Sequence, residues 1–475
     1  MSENRPSIPA DSAPHEGDGA RSEPGGRFDR RLIPPMILGS VLNPINSTII
    51  AVALVPIGAA FGAPPSETAW LVSALYLATA IGQPVVGRLI DLFGPRRLFL
   101  IGSALVGAAG IIGMLAPGLG VLIGARVLLG FGTCAGYPAA MSLLRRETDR
   151  TGNDSPGGVL TLLAVANQTI AVIGPALGGL LIGAGGWRTT FALNIPLAAA
   201  ALVLGALRLP KTSHALPGGR KAAVARLDLP GIGLFAAMLV TLLLFLMNLS
   251  VGSLYLLAMS LLAAAAFARR ELRADEPFID LRVLGGNAPL LATYGRSLVA
   301  YIVSYAFLYG FTQWVEEGRG LSASEAGLVQ LPMFALAIVV STLTGRRKGV
   351  RGKLVVGAVG QIVACVLLLS LHGNSPVWML FAVALVFGVP QGLNSLALQN
   401  SLYRQADPER MGASSGLLRT SAYMGSMVAS AASARAFGQH AGTGGMHELA
   451  WVMTGAAVLY LLSTVVDRSL YSLAA

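Results

Sequence analysis

Three arginines sit where a bilayer would bury them: Arg126, Arg296 and Arg419 all lie inside long apolar runs. A guanidinium at membrane depth is costly enough to mark function or a dedicated partner by default. One that faced a wet cleft would favour anionic, zwitterionic or neutral polar solutes. Amides accompany them: Asn43, Asn46, Gln83, Asn167, Gln168, Gln313, Gln330, Gln391, Asn394 and Gln399. An amide in lipid needs a hydrogen-bond partner, so these side chains are expected to point inward, to a solute or to a neighbouring helix. Acids are distributed differently. All 23 Asp and Glu fall in tails, loops or span ends, the nearest to a membrane interior being Glu67, Asp91, Glu316 and Glu317. Covalent chemistry finds no footing. The five histidines (His15, His214, His372, His440, His447) are in tails or loops, and no HExxH or GxSxG occurs. Cys134 and Cys365 lie in separate apolar runs, which excludes a disulfide scaffold or a CxxC metal site. No enzyme activity, cofactor or metal is expected; the residues point to binding and passage of a small molecule.

The elements that must position these groups are set by composition. Of 475 residues 54% are hydrophobic and 12% charged, about half the charge of an ordinary soluble domain, and mean hydropathy is +0.66. Such a chain cannot cover itself with polar surface; it is read as an all-α polytopic membrane protein. Runs of about 20 apolar residues give fourteen expected spans: 34–61, 69–90, 98–116, 119–144, 157–184, 189–208, 229–249, 253–268, 288–314, 322–345, 354–372, 376–402, 411–438 and 447–466. With the N-terminus inside, 28 of the 34 Lys and Arg fall in cytoplasmic segments, three (Arg188, Arg319, Arg435) outside and three within spans, as the positive-inside rule requires. Both termini are therefore expected in the cytoplasm, in a plasma (inner) membrane. The net charge of +11 belongs to short loops facing lipid head groups, and no nucleic-acid partner is expected.

Residues 1–30 are read as a disordered cytoplasmic tail, without the apolar core of a signal peptide. No loop is long enough for a nucleotide-binding domain, and no GxxxxGK[ST] occurs. Prolines and glycines are dense inside spans (Pro44, Pro84, Pro138, Gly174-Pro175, Pro332, Pro390). They fit either close helix packing through small residues or hinges of a moving helix.

Motifs on these spans resemble those of the major facilitator superfamily. GRLIDLFGPRR (87–97) is similar to its second-loop motif, with Gly87, Leu89, Asp91, Gly94, Arg96 and Arg97 in place. LIGARVLLGFG (122–132) resembles its fourth-span motif, with Arg126 and Gly130. VIGPALGG (172–179) resembles the fifth-span antiporter motif, with Gly174, Pro175, Gly178 and Gly179. WRTTFALNIP (187–196) and LDLPGIGLF (227–235) look like the fourteen-span drug:proton antiporter (EmrB/QacA-like) branch. The resemblance implies the major facilitator fold: six-helix bundles at 31–210 and 288–468, with an inserted helix pair at 229–270. It also implies a site between the bundles near the bilayer midplane and transport by rocking. The second-loop residues would then gate the cytoplasmic mouth, with Glu147 and Asp149 as candidate extensions of that charge cluster.

One position departs from the branch. INSTIIAVALVP places Asn46 where those antiporters carry a first-span carboxylate, and an amide exchanges no proton near neutral pH. The expected function is a secondary-active exporter of small amphipathic or drug-like molecules, working by alternating access as a monomer in the lipid bilayer, with protons as the candidate coupling ion. The alternative is an uncoupled facilitator or an anion or zwitterion exchanger; a non-transporting scaffold would leave the kinked bundles unexplained. Expected cavity and coupling residues are Asn43, Asn46, Arg126, Asn167, Gln168, Arg296, Gln313, Gln391, Asn394 and Arg419. Tyr76, Tyr137, Tyr301 and Tyr305 are candidate aromatic walls. Snorkelling to the cytoplasmic face competes for Arg296 and Arg419.

Overall fold

The computed structural model describes residues 29–151, 157–211, 228–274, 277–279, 281–345, 349–406, 411–467 and 469–472. Among them every regular element is helical. Span 1 forms as Ile33–Ile49, a 3-10 turn and Leu54–Phe61; span 2 as Pro65–Phe93; span 3 as Pro95–Met114; span 4 as Leu119–Thr133 and Gly136–Thr151. Span 5 is Gly157–Gly185 and span 6 is Arg188–Ala192 with Asn194–Arg208. Spans 7 and 8 are Leu229–Met247 and Leu254–Glu271. Span 9 is Ala288–Ala306 continued by π-helical turns Phe307–Phe311 and Trp314–Gly318. Spans 10 to 14 are Ala323–Gly345, Val350–Leu368, Val377–Gln405, Met411–Phe437 and Thr443–Val466.

Twelve of these helices, rather than the expected fourteen, are long and apolar enough to cross a bilayer among the described residues. The shortfalls are spans 5 and 13. In span 5 the apolar stretch among the described residues is Ile173–Gly185, several side chains of 157–172 lying outside them. Span 13 is a helix of 27 residues, but six serines, Arg419 and Arg435 dilute its hydropathy. Reading apolar runs without pricing serine overrated span 13.

Local chemistry explains the boundaries. Pro65 and Pro95 open their helices at the first turn, where a missing N–H is harmless. Gly94 alone joins spans 2 and 3 at φ 89°, a left-handed conformation that glycine enters without steric cost. Asp228 and Asn287 cap spans 7 and 9 by accepting from the N–H of Gly231 at 3.0 Å and Leu290 at 3.1 Å.

Lipid gives no hydrophobic drive between helices, so contact depends on close packing. Here it runs through small residues: a Cβ on Gly136 would lie 2.0 Å from the Gly39 carbonyl, and one on Gly102 2.6 Å from that of Gly132. Within the first half spans 1, 3 and 6 pack on 5, 4 and 3; within the second, spans 10, 11 and 14 pack on 12, 12 and 11. Two long antiparallel seams join the halves, span 2 against span 13 and span 5 against span 10. Span 7 lies against spans 2 and 13, and span 8 packs on it through Phe267 and Phe235, 5.6 Å apart. Its other face leaves Leu254, Tyr255, Leu261 and Leu262 exposed, as a lipid-facing helix should.

Candidate functional site

Beside the seam of spans 2 and 13 stands a column of tyrosines. Tyr301, Tyr305 and Tyr309 recur at four-residue spacing along span 9 and so share one face. Tyr305 and Tyr309 stack nearly parallel at 5.8 Å, and Tyr301 follows at 5.7 Å. Tyr76 of span 2 lies 5.1 Å from Tyr305 and 5.4 Å from Tyr423 of span 13. Its hydroxyl meets that of Tyr309 at 3.0 Å, and Tyr309 donates onward to the Ser47 carbonyl at 3.0 Å. Burial differs along the column: Tyr309 is fully buried, whereas Tyr305 and Tyr301 are only half-buried. The two half-buried rings are the ones nearer the end that carries the basic loops. Tyr309 and Tyr423 complete the column; their four-residue register with Tyr305 and with Arg419 was the signal in the sequence.

Two of the three in-span arginines flank it. The Arg419 guanidinium lies 3.6 Å from the Tyr137 ring centroid, a cation–π contact that crosses from span 13 to the second helix of span 4. Arg126 is buried; its Nε donates to the Leu71 carbonyl at 2.9 Å and one Nη to the Asn46 carbonyl at 3.1 Å. Its other Nη is buried with no partner. Arg296 is elsewhere. It forms a 2.6 Å ion pair with Asp467 just past span 14 and donates to Thr293 at 3.0 Å. Its guanidinium ties spans 9 and 14 together within the second half, so neither a cavity role nor snorkelling describes it. Burial raises the Asp467 carboxyl, but Ser469 and the Arg296 guanidinium outweigh it and hold the group below the usual aspartate range.

The expected amides divide in the same way. Asn46 is locked to Asn194 of span 6, and Asn43 donates to Thr133 at 3.1 Å. Asn394 accepts from Tyr460 at 3.1 Å and fills the space over Gly357, inside the second half. Asn167 is half-buried and donates to the Leu163 carbonyl at 2.8 Å; the side chain of Gln168 lies outside the described residues. Gln391 is half-buried. Gln313 is buried and lines a cavity of about 350 Å³ at the far end of the seam, with Leu54, Thr68, Glu317 and Gln439.

The second-loop motif is only partly visible. Arg96 donates to the Ala206 carbonyl at 2.8 Å, Arg97 is exposed, and a Cβ on Gly87 would touch nothing. The Asp91 side chain, on which gating would turn, lies outside the described residues, as does that of Asp149. Glu147 accepts from the Asp29 N–H at 2.7 Å and pairs with Arg150 at 2.6 Å. That hydrogen bond to Arg150 holds its carboxyl below the usual range.

The fifth-span motif is a packing device. Gly174 and Gly178 sit against Thr48 and Val52 of span 1, while Gly179 and Pro175 meet span 10 backbone to backbone. A Cβ on Gly327 would lie 2.4 Å from the Pro175 carbonyl, and Ser324 donates to the Gly179 carbonyl at 2.7 Å. At the same end the Ser66 N–H donates to the Gly438 carbonyl at 3.1 Å and Ser430 to the Ala69 carbonyl at 2.8 Å. The halves therefore touch closely at the end away from the basic loops.

Comparison with known proteins fits this arrangement. The family model described as Major Facilitator Superfamily matches residues 36–430. The chain is 33% identical over 396 residues to the uncharacterized MFS-type transporter YwoD of Bacillus subtilis (strain 168), covering 82% of this chain and 86% of that one. It is 32% identical over 408 residues to the lincomycin resistance protein of Streptomyces lincolnensis, covering 81% and 79%. In fold it is similar to the nucleoside transporter NupG, at a TM-score of 0.64 and 8% identity, covering 92% of this chain and 99% of that one.

Proposed function

The chain belongs to the major facilitator superfamily, and from that premise we propose that it exports small amphipathic, drug-like molecules by alternating access. The observation that carries this reading is the tyrosine column with Arg419 and Arg126 beside the seam of spans 2 and 13. Aromatic faces bind flat or apolar bodies, and the guanidiniums bias the site toward neutral polar, zwitterionic or anionic groups rather than permanent cations. Full burial of Tyr309 beside half-buried Tyr305 and Tyr301, with the close backbone contacts at the far end, supports a state closed at the far end and open toward the basic loops. The lincomycin resistance relative supports an uncharged-to-polar drug as the first probe.

The finer organisation is part of the proposal. Spans 5 and 13 cross the bilayer with the other twelve, because each lies in a seam where neighbouring helices shield its polar face. That gives fourteen spans, bundles at 31–210 and 288–468, an inserted pair at 229–270, and the drug:proton antiporter branch. The basic-loop end, including both termini, faces the cytoplasm across the plasma membrane, and the working unit is a monomer. Protons are the coupling ion. A second reading, an uncoupled facilitator or an anion or zwitterion exchanger, is favoured by Asn46, which holds an amide where the branch carries an acid.

The test is efflux of labelled lincomycin from cells of a host stripped of its own exporters. Expression should lower accumulation, and Tyr305→Ala with Arg419→Ala should restore it. Unchanged accumulation of lincomycin and of a panel of neutral and zwitterionic drugs would overturn the export reading. Insensitivity of efflux to an imposed pH gradient would favour the second one.

A further inference from the structure

Glu316 was expected at the outer mouth of span 9, yet it is 6% exposed, and its Oε1 is fully buried with no hydrogen-bond partner. The reason is the π-helical turn Trp314–Gly318. It rotates the end of the helix so that Glu317 takes the polar side, pairing with His440 and accepting from the Ala441 N–H at 3.0 Å. Trp314 donates to Thr443 at 3.2 Å on that side as well. π-Turns inside membrane helices recur at functional positions. Glu316 is left facing the interior with neither cation nor donor.

The elements packed on this turn are span 10, span 14 and the preceding π-turn. Their charged and titratable groups among the described residues are all otherwise engaged or remote. Glu325 is exposed and bonded to Ser322. His447 bonds to the Leu371 carbonyl, and Glu448 is exposed. Tyr309 is paired with Tyr76, and Arg319 donates through both Nη atoms to the carbonyls of His372, Gly373 and Ser375, its Nε being buried with no partner and making no hydrogen bond to Glu316. One helical turn before Glu316, Thr312 accepts from Gln330 at 2.7 Å, and the Oε1 of Gln330 is itself buried without a donor. An acid and an acceptor, both orphaned, therefore lie in one small region at the far end of the seam.

We propose that Glu316 is a proton-binding site whose occupancy is tied to closure of the far end. An ionised carboxylate with no partner is not sustained in such a place, whereas the neutral acid is, and it can supply the donor that its surroundings lack. When the far end opens, water reaches the group and the carboxyl releases its proton; when it closes, the carboxylate takes one proton from that water to become the acid. Closure therefore consumes a proton at this residue. The proposal rests on the alternating-access reading above. It places the titrating acid in span 9, while the first-span position is held by Asn46.

The experiment uses the full-length protein reconstituted in lipid, with spin labels on Ala60→Cys and Gln439→Cys, exposed positions on opposite halves at this end. Raising the pH should move the label distance from short to long, the ratio of the two populations changing by about tenfold per pH unit. Glu316→Gln should hold the short distance at every pH. His440→Gln should leave the titration in place, which separates Glu316 from the neighbouring His440–Glu317 pair. Infrared difference spectra of the unlabelled protein should show a protonated-acid carbonyl band at low pH that is missing in Glu316→Gln. Two label populations indifferent to pH, or a titration unchanged in Glu316→Gln, would overturn the proposal while leaving alternating access intact. A single distance under all conditions, with and without lincomycin, would count against alternating access; the infrared band then decides Glu316 alone, its absence from the wild type overturning the assignment.

Discussion

Asn46 and Asn194 exchange two hydrogen bonds between spans 1 and 6: the Asn46 amide donates to Asn194 Oδ1 at 2.7 Å, and the Asn194 amide donates back to Asn46 Oδ1 at 2.9 Å. The second proton of Asn46 goes to the Leu42 carbonyl at 2.8 Å, and its own backbone carbonyl accepts from Arg126. Every polar atom of this side chain is already hydrogen-bonded within the first half. The position at which the drug:proton antiporter branch that the chain resembles carries a carboxylate is here a structural clasp.

That clasp predicts strong coupling between two single substitutions. Asn194→Ala strands the Asn46 amide in a buried site, which costs roughly 1–3 kcal/mol, and Asn46→Ala does the same in reverse. The double variant should lose clearly less than the sum of the two. Thermal unfolding of the four proteins in detergent measures this; additive losses would mean that the pair is not the unit.

The Arg296–Asp467 pair predicts an acid-sensitive second half. Asp467 is held below the ordinary aspartate value of about 3.9. Its contribution is therefore complete above that value and is lost as pH falls through the lower, folded one. Wild-type melting temperature should fall as pH drops below about 4, while Asp467→Asn should be less stable at neutral pH and lack that part of the fall. Asp467→Ala leaves a buried guanidinium without its counter-charge, an expected loss of about 3–5 kcal/mol. Equal melting of Asp467→Asn and wild type at pH 7 would refute this.

The contact between Arg419 and Tyr137 predicts a separation of charge from hydroxyl. Tyr137→Phe keeps a face for the guanidinium and should retain efflux, whereas Tyr137→Leu removes a contact of about 0.5–2 kcal/mol. Efflux measured beside thermal stability should show Arg419→Lys weakened in transport with its melting unchanged. The compact lysine head does not reproduce the flat stacking of a guanidinium. Parallel loss of melting and transport would make the contact purely structural.

What was legible in the sequence was what lipid enforces locally. Continuous apolar runs, the placement of Lys and Arg, and the glycines of spans 2, 4 and 5 set the helices and their order before any coordinate. Partner choice across sequence was not legible. Arg126, Arg296 and Arg419 look alike in the chain, but Asp467, 171 residues beyond Arg296, decides its fate, and Tyr137 decides that of Arg419. The end of an apolar run placed Glu316 at the outer end of span 9 but says nothing of which side it faces there, and that is decided by the π-turn Trp314–Gly318. Span 13 shows what an apolar run leaves unsaid: its serines dilute the hydropathy of a long helix, and their partners differ, Ser421 donating within the helix to the Leu417 carbonyl at 3.0 Å and Ser430 across the seam to the Ala69 carbonyl at 2.8 Å.

Gly327 predicts how tightly the far end is shut. Its backbone meets that of Pro175 so closely that an added Cβ would lie 2.4 Å from a carbonyl oxygen and 3.1 Å from the Ala176 Cα. Neither is the end of a flexible side chain, so Gly327→Ala can be accommodated only by separating span 10 from span 5. Both spans are otherwise intact helices, and separation costs less than distorting either backbone. The substitution should therefore open the far end rather than unfold the protein. Labelling of a cysteine at Thr68, buried on the wall of the far-end cavity, should quicken severalfold in Gly327→Ala, with the helical circular dichroism unchanged. Gly349→Ala, where the added atom meets nothing, should label at the wild-type rate. Equal rates in Gly327→Ala and wild type would show that the contact between spans 5 and 10 does not hold this end closed.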